Sequence, residues 1–272
     1  MKRENQHAIV TGGSSGIGKA IARQLASEGA NVSIIARGQE RLRAAQVEIE
    51  QARASDRQQV IALSADVSDR LAAEQAIQSA IEQLGPPRVL VTAAGIAYPD
   101  RFLDIPIEMF EKTMAVNYFG TLYCIRAALP AMKQQTGRQK GEICTISSGA
   151  GLIGLYGYSA YCPSKFAVRG LAESLRAELK PMGISVAIAY PPDTDTPQLV
   201  EEEKTKPAAT KEITKAAKLW QADEVARIVL AGMEKGKFAI APGIELSIIN
   251  RLHSLILPIL NRYFDRIVAK HL

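Results

Sequence analysis

Seven short apolar runs alternate with longer amphipathic segments along this chain of 272 residues, and this alternation restricts the fold more than any other feature. The runs span residues 7–11, 31–36, 60–64, 89–92, 142–147, 184–190 and 237–241. Most of their positions are apolar or β-branched, which is typical of strands that are buried on both faces. Segments with helical periodicity separate them, at 16–28, 39–53, 68–84, 107–133, 160–180 and 222–235. Repeated alternation of strand and helix predicts an α/β fold with a doubly wound parallel sheet.

The predicted architecture is a Rossmann-type sheet of about seven strands with helices on both faces. Residues 1–243 hold these elements and form the predicted catalytic domain. Within it, residues 198–219 are highly charged and interrupt the alternation. We interpret them as a helical lid over a substrate cleft or, alternatively, as a solvated surface insertion. Residues 244–272 follow the last predicted strand as a C-terminal appendage.

Composition and charge argue against several classes of protein. A hydrophobic fraction of 47% and a charged fraction of 22% are those of a globular protein. The net charge of +5 is too mild to indicate nucleic acid, so no nucleic-acid partner is expected. Three scattered histidines, and three cysteines without a C-x-x-C spacing, predict no metal site. The cysteines are interpreted as reduced thiols of an intracellular protein.

A glycine-rich stretch, "TGGSSGIGKA", connects the first predicted strand to the first predicted helix. Its glycines allow a tight turn and a close approach of the backbone to a pyrophosphate, which the N-terminus of the following helix attracts. Its serines add hydroxyl donors. The candidate cofactor-binding residues here are Gly12, Ser14, Ser15, Gly16, Ile17 and Gly18. A purely structural turn without a nucleotide is the alternative.

The end of the second predicted strand indicates which dinucleotide would bind. An acidic residue at this point usually holds the ribose 2′-hydroxyl of NAD. This chain instead has Arg37, with Arg41 one helical turn later. A guanidinium presents a planar fork that suits a phosphate, so the expected cofactor is NADPH. The alternative is that both arginines are solvated charges at the start of a helix.

Four polar residues form the candidate catalytic set: Asn117, Ser148, Tyr161 and Lys165. Tyr161 and Lys165 lie four residues apart at the start of a predicted helix, and therefore share one face. Free tyrosine titrates near about 10, so it is a poor acid at neutral pH unless a cation such as Lys165 lowers its pKa. Ser148 could hold the substrate oxygen, with Ser147 as the alternative because successive strand residues face opposite sides. Asn117 could anchor a water behind the lysine.

The spacing T-G-x-x-x-G-x-G and the Asn–Ser–Tyr–Lys set together resemble the short-chain dehydrogenase/reductase family over residues 7 to about 241. The resemblance implies a nicotinamide dinucleotide and a tyrosine, Tyr161, that donates the proton when a ketone is reduced. It also implies that Asp66, with its neighbour Val67, lies at the adenine, and that Gly95 borders the cofactor. The family usually has N-N-A-G where this chain has "TAAG", so the glycine is kept and an asparagine is lost.

The stretch "AYPPDTDTP" forms a stiff corner at the end of the sixth predicted strand. In open α/β sheets, ligands bind at this carboxyl edge of the strands. The family normally has Pro-Gly here, and Pro192 replaces that glycine. The resemblance implies that the threonines after it, Thr194 and Thr196, meet the nicotinamide carboxamide, and the two prolines would hold them in place.

The same corner, with the segments at 164–181, 201–207 and 264–268, resembles a branch of the family that reduces a long-chain 3-keto-2-amino alcohol with NADPH. Asp193 or Asp195 would then face the substrate ammonium. Alternatively, both aspartates satisfy local backbone groups in an Asx-type turn. The function implied is NADPH-dependent reduction of a 3-keto sphingoid base. The alternatives are a reductase of another lipophilic ketone, such as a steroid or 3-ketoacyl thioester, and a non-catalytic nucleotide-binding protein at a membrane.

The appendage has the pattern of an amphipathic helix. Apolar residues recur at helical spacing at 249, 252, 256, 260, 263 and 267, and four cationic residues accompany them: Arg251, Arg262, Arg266 and Lys270. This favours a helix that lies on the cytoplasmic side of a membrane as a peripheral anchor, with a kink expected at Pro258. A helix that forms a dimer or docks on the core is the alternative. A homo-oligomer, either dimer or tetramer, is compatible with the sequence.

Overall fold

The computed structural model describes residues 3–215 and 218–271. The strands are β1 (His7–Thr11), β2 (Asn31–Ala36), β3 (Val60–Ser64), β4 (Val89–Thr92), β5 (Gly141–Ile146), β6 (Ile184–Ala189), β7 (Thr194–Asp195), β8 (Trp220–Gln221) and β9 (Ala239–Ile240). Seven of them form one parallel sheet in the order β3-β2-β1-β4-β5-β6-β9. The predicted doubly wound sheet of about seven strands is confirmed.

The helices occupy the segments between the strands. They are α1 (Gly16–Ser27), α2 (Gln39–Gln51), α3 (Arg70–Leu84), α4 (Ile107–Met114), α5 (Gly120–Lys133), α6 (Tyr161–Leu179), α7 (Pro197–Glu202), α8 (Ala208–Thr214), α9 (Ala222–Glu234) and α10 (Ile244–Ala269). The apolar stripes of α1, α2 and α9 pack on one face of the sheet, and those of α3, α5 and α6 pack on the other. Neighbouring strand residues pack on opposite faces of the sheet: Ile34 packs in the core layer with α1, α2 and α9, and Ile35 in the layer with α3, α5 and α6. This double burial is why the strands are apolar at consecutive positions.

The strand order reverses beside β1, which lies between β2 and β4. The chain builds the sheet outward through β2 and β3, then returns to the other side of β1 and continues through β4, β5 and β6. A crevice opens at such a reversal point, beyond the carboxyl ends of the strands. The glycine loop after β1 and the segments after β4, β5 and β6 all meet at this crevice.

Two local features differ from the predicted elements. The predicted helix at 107–133 is divided by a π-helical turn, Ala115–Phe119, between α4 and α5. Such turns are frequent at functional sites, and this one carries Asn117. The corner after β6 contributes β7, which pairs in parallel with β8 as a separate two-stranded sheet. Elements of two residues are too short to leave a periodic pattern in a sequence.

The C-terminal helix α10 covers the crevice, and its kink lies at Leu252 (φ −117°, ψ 23°), not at Pro258. Pro258 is exposed, so water can take over the backbone hydrogen bond that proline cannot make. The expected kink position was therefore wrong. In the described residues 3–215 and 218–271, no helix combines the length and apolarity needed to cross a membrane.

The apolar residues of α10 form two faces instead of the predicted single stripe. The inner face borders the crevice through Leu246, Ile249, Leu260 and Phe264. The outer face is exposed and consists of Ile248, Leu252, Leu255, Ile259 and Tyr263, and Ile244 at the start of the helix is exposed at the rim of the cavity. At the end of the helix, Lys270 and His271 both pair with Glu212 of α8, which holds the appendage against the segment 198–219.

Candidate active site

A single cavity of about 1110 Å³ lies at the carboxyl edge of the sheet. The glycine loop, the ends of β2 and β3, the corner after β6, the segment 198–219 and the inner face of α10 all border it. Apart from Asn117 and Asp195, every residue that the sequence analysis singled out for cofactor, substrate or chemistry lines this cavity.

The glycine loop passes so close to the segment after β4 that side chains do not fit between them. A Cβ on Gly12, which has φ +70°, would lie 2.6 Å from the backbone nitrogen of Ala94. A Cβ on Gly18 would lie 2.3 Å from the carbonyl oxygen of Gly12. The loop therefore brings its backbone and the N-terminus of α1 to the cavity wall, where Ser15 precedes the helix without a side-chain capping bond. This is a cradle of backbone N–H groups and hydroxyls, and it fits a pyrophosphate.

The cavity beside this loop is bordered by Arg37 and Arg41, which follow β2. The guanidinium Nη1 of Arg37 lies 3.6 Å from the Oδ2 of Asp66, at the end of β3. Burial raises the pKa of the Asp66 carboxyl, but hydrogen bonds from Ser68 and the charge of Arg37 outweigh it, so the pKa is lowered. The ion pair positions one guanidinium at the mouth of the cavity, and Val67 forms a buried apolar wall beside it.

Lys165 is buried in the first turns of α6, with 5% of its surface exposed. Its Nζ donates a hydrogen bond to the carbonyl oxygen of Ile146 (3.0 Å) and lies 5.5 Å from the centroid of the Tyr161 ring. Burial lowers the pKa of Lys165 to about 8, against an opposing effect of the Glu202 charge. The ammonium group is therefore held at a fixed position, behind the tyrosine.

The two serines after β5 face different partners, as the alternation of strand residues requires. Ser147 is buried and donates its hydroxyl to the carbonyl oxygen of Lys165 (3.1 Å). Ser148 hydrogen-bonds to the Tyr161 side chain, and its Oγ also accepts from the backbone N–H of Ala150 (3.2 Å). Ser148 is therefore the serine that lies beside the phenol.

Tyr161 departs from the expectation that Lys165 would lower its pKa. Burial raises the pKa of the phenol above its usual range, and the charge of Glu202 raises it further. Hydrogen bonds from Ser148 and Gln198 act in the opposite direction but are weaker. The phenol is consequently fully protonated at neutral pH, which is the form that a proton donor needs.

Asn117 lies behind the catalytic pair in the π-helical turn. Its amide nitrogen donates to the carbonyl oxygen of Ile96 (3.0 Å) and to Ser164 Oγ (2.9 Å), and its Oδ1 accepts from the N–H of Ile96 (2.9 Å). A Cβ on Gly95 would lie 3.3 Å from both Asn117 Oδ1 and Lys165 Nζ. A side chain at Gly95 would therefore press on Asn117 and Lys165, and this close approach explains the glycine physically, which the sequence pattern alone did not.

The corner after β6 joins the cofactor side of the cavity to the segment 198–219. Thr194 is buried and donates its hydroxyl to the carbonyl oxygen of Pro192 (2.8 Å). Thr196 caps α7 by accepting from the N–H of Leu199 (3.3 Å), and its Cγ2 would be 2.9 Å from a Cβ on Gly16. Pro197 at the first helical position suits the start of α7. The threonines therefore stiffen the corner directly beside the glycine loop.

The two aspartates of the corner have different surroundings. Asp193 lines the cavity, and burial raises the pKa of its carboxyl, against the opposing charge of Lys206. Asp195 is exposed on β7 and is not among the residues that border the cavity. The alternation of side chains along the extended corner turns it away. Of the two candidates for a substrate contact, only Asp193 is in a position to make one.

Known proteins share this arrangement. Residues 6–207 match the short chain dehydrogenase family. The chain belongs to that family. The 3-dehydrosphinganine reductase of Danio rerio is 45% identical over 239 residues, which cover 88% of this chain and 71% of that protein. The family resemblance seen in the sequence is confirmed, and the protein is an oxidoreductase that uses a nicotinamide dinucleotide.

Solved structures of the same kind superpose on the chain. A dehydrogenase/reductase from Sinorhizobium meliloti 1021 is 35% identical, with a TM-score of 0.74 over 88% of this chain and 95% of that one. A short chain dehydrogenase from Mycobacterium paratuberculosis bound to NAD is 25% identical, with a TM-score of 0.78 over 89% of this chain and 97% of that one. Both matches cover nearly the whole of the solved chain, so this family member shares their fold across the catalytic domain.

This short-chain dehydrogenase has further cavity residues that sequence reasoning missed. Tyr158 donates a hydrogen bond to Glu202 Oε2 (2.6 Å), and Gln198 Nε2 donates to Glu202 Oε1 (2.8 Å). Lys206 is buried and pairs with Glu203. The sequence shows only a run of charges at 201–206, and such runs are solvated surfaces unless tertiary packing buries them. No signal in the sequence alone could have separated Glu202 from its neighbours.

Proposed function

We propose that this protein reduces the 3-keto group of 3-ketodihydrosphingosine to dihydrosphingosine, with NADPH as the reductant. The observation that carries the proposal is the meeting of Ser148, Tyr161 and Lys165 with the glycine loop in one cavity. Relatives named 3-dehydrosphinganine or 3-ketodihydrosphingosine reductase, at 42–45% identity, support the substrate.

The residues present fit a phosphorylated dinucleotide. The glycine loop would hold the pyrophosphate, and Asp66 and Val67 would lie at the adenine. Arg37 and Arg41 would receive the 2′-phosphate, because a guanidinium binds phosphate through paired, charge-assisted hydrogen bonds. Gly95, Thr194 and Thr196 would lie along the nicotinamide end.

The chemistry divides between cofactor and protein. The bound cofactor supplies the hydride that reduces the carbonyl carbon. Tyr161 donates its phenolic proton to the carbonyl oxygen, and Ser148 holds that oxygen in place by a hydrogen bond. Lys165 stabilises the phenolate that remains, because a buried cation next to a new anion acts in a low-dielectric site. Asn117 is a positioning residue that fixes the backbone around Lys165.

The cavity wall also suits the rest of this substrate. The inner face of α10 contributes apolar side chains for a long alkyl chain, and the carboxylates of Glu202, which is buried, and of Asp193, which is partly buried, suit an amino group. We propose the segment 198–219 as the substrate lid, since α7 and α8 border the cavity; its residues 216–217 lie outside the described residues.

A pair of substrates tests the function. Purified protein is incubated with NADPH and either 3-ketodihydrosphingosine or a 3-ketoacyl thioester, and NADPH consumption is followed. Faster turnover of the sphingoid base is expected. Preference for the thioester would favour the reductase of another lipophilic ketone, and binding of NADPH without turnover of either would favour the non-catalytic alternative.

The cofactor preference has its own test. Arg37→Gln removes the guanidinium without placing a second carboxylate beside Asp66. The ratio of kcat/KM for NADPH to that for NADH should fall about tenfold or more, the value of one charge-assisted contact. Arg43→Gln, at an exposed arginine of α2, the helix that follows Arg37, is the matched control. An unchanged ratio in the Arg37 variant would contradict the assignment of this arginine.

We also propose that the outer face of α10 lies on an anionic membrane surface on the cytoplasmic side. Its exposed apolar residues, such as Leu255 (73%) and Ile259 (69%), would enter the headgroup region, and the nearby arginines would meet the lipid phosphates. The double change Leu255→Asn and Ile259→Asn should reduce co-sedimentation with anionic vesicles. Leu71→Asn, which alters an exposed leucine (60%) on α3, is the control. If the double variant loses dimer formation and keeps vesicle binding, the outer face is a subunit interface instead.

A further inference from the structure

The carboxylate of Glu202 is buried in the cavity wall, with 8% of the residue exposed. Both of its oxygens accept hydrogen bonds from uncharged donors, the hydroxyl of Tyr158 and the amide of Gln198. Among the described residues, no basic side chain forms an ion pair with it within 4.0 Å. A buried charge without an ionic partner is costly unless a ligand supplies the compensating charge.

The charges around this carboxylate leave an excess of negative charge on the wall. Asp193 also lines the cavity and is partly buried, and its charge adds to the larger effect of burial in raising the pKa of Glu202, against the hydrogen bonds from Tyr158 and Gln198 and the charge of Lys206. Lys206 is not among the residues that border the cavity, and its Nζ donates to Glu203. The two carboxylates thus face one buried cation of the cavity wall, the ammonium of Lys165. The wall is suited to a ligand that carries a positive charge.

Glu202 also lies close to the reacting position. Gln198 donates to Glu202, and both Gln198 and the charge of Glu202 act on the pKa of Tyr161, which places the carboxylate near the phenol. The ring of Tyr158 lies 5.7 Å from that of Tyr161. In the substrate of the proposed function, the carbon that bears the amino group is bonded directly to the keto carbon. An ammonium group must therefore lie beside Tyr161 whenever the keto oxygen does.

We propose that Glu202 binds the ammonium group of the substrate and so selects 2-amino ketones over neutral ketones. This inference rests on the proposed function and names the residue that recognises the substrate. Glu202 lies on α7, and the bond to Tyr158 connects that helix to the segment before α6. Substrate binding is thereby coupled to the position of the lid segment.

Glu202 suits this role better than Asp193. The charge of Glu202 acts on the pKa values of both Tyr161 and Lys165, while the charge of Asp193 acts on that of Tyr158. Of the two carboxylates, Glu202 is the one whose charge acts on the reacting groups, and it is also the more deeply buried. A substrate ammonium would also neutralise the influence of Glu202 on Tyr161, which would lower the pKa of the phenol and favour proton transfer.

The test compares two ketones that differ only in the amine. Turnover of 3-ketodihydrosphingosine and of 1-hydroxyoctadecan-3-one is measured with NADPH, and the ratio of their kcat/KM values is the readout. Glu202→Gln keeps the size of the side chain and an acceptor for Tyr158. The ratio should fall about tenfold or more, as expected for a charge-assisted hydrogen bond that only the amino ketone can lose.

Two matched variants serve as controls. Glu201→Gln removes one negative charge from the same helix, at an exposed side chain paired with Lys204, and should leave the ratio unchanged. Asp193→Asn tests the other carboxylate. A ratio that is unchanged in Glu202→Gln, or that falls only in Asp193→Asn, overturns the inference while the proposed function stands. Wild-type protein that reduces neither ketone overturns the proposed function and the inference with it.

A second variant covers the case in which Glu202→Gln does not fold, which thermal melting would reveal. Tyr158→Phe retains the carboxylate but removes one of its two hydrogen bonds. The ratio should fall by a smaller factor through a raised KM for the amino ketone. Parallel loss of activity with both ketones would assign these residues a structural role and overturn the inference.

Discussion

Lys165→Met should make the protein without cofactor more stable while it removes catalysis. The lysine has 5% of its surface exposed, and burial lowers its pKa from 10.5 to about 8. At about 1.4 kcal/mol per pH unit, this difference corresponds to about 3 kcal/mol of penalty for holding the charge in the folded state. Methionine has a similar length and carries no charge.

The variant also loses the hydrogen bond from Lys165 Nζ to the carbonyl oxygen of Ile146. A buried carbonyl without a partner costs about 1 kcal/mol or more, which offsets part of the gain. The expected net effect at pH 7 is a free energy of unfolding that rises by about 2 kcal/mol. Urea denaturation without cofactor measures it, and Lys180→Met, at an exposed lysine beyond the same helix, should change stability by less than about 0.5 kcal/mol.

The pH dependence gives a second, independent reading of the same penalty. At pH 7 the lysine is charged in both states, so the penalty is fully present. Between about pH 8 and 10.5, Lys165 keeps its proton in the unfolded chain and releases it in the folded chain. The free energy of unfolding of the wild type therefore rises with pH over this range. The stability gap between Lys165→Met and wild type should therefore narrow by pH 10. A variant that is less stable than wild type at pH 7, or a gap that does not narrow, would refute the reasoning.

Three further predictions concern the groups around the tyrosine. Tyr161→Phe should abolish turnover while the dissociation constant of NADPH stays within about threefold, because only the proton donor is removed; near-native turnover would exclude Tyr161 as the acid. Ser148→Ala should lower kcat about a hundredfold, because it removes a donor to the substrate oxygen. Ser147→Ala loses only its hydrogen bond to the Lys165 carbonyl and should mainly lower the melting temperature. The reverse pattern in steady-state kinetics would exchange the roles of the two serines. Gly12→Ala should give little folded protein, since its Cβ would lie 2.6 Å from the backbone nitrogen of Ala94 at a positive φ; a melting temperature within a few degrees of wild type would contradict this.

Much of the fold could be predicted because its signals are local. Four of the seven predicted strands have the observed boundaries, and the glycine loop has the predicted place between β1 and α1. A strand buried on both faces is apolar at consecutive positions, and a helix packed on one side repeats every 3.6 residues, so both leave their period in the sequence. The spacing of Tyr161 and Lys165 on α6 is likewise fixed by helix geometry.

The lid segment and α10 show what the sequence leaves open. The residues at 201–206 read as one run of charges, yet Glu202 and Lys206 are buried and Glu201 is exposed. The apolar positions of α10 were assigned to one stripe, but packing against the rest of the chain divides them between the cavity and the exterior. In both cases the neighbours that bury a residue come from distant parts of the chain.

The sequence by itself therefore determined the order of the elements, the place of the cofactor loop and the spacing of Tyr161 and Lys165, because each depends on residues within a few positions of one another. Only the tertiary structure decided that Ser148 and not Ser147 meets Tyr161, that Asp193 and not Asp195 faces the cavity, and that the pKa of Tyr161 is raised instead of lowered. Desolvation and the field of a buried carboxylate govern that last result. Both effects arise because α6, α7 and the corner after β6 pack around one cavity, and a local sequence pattern does not predict that packing.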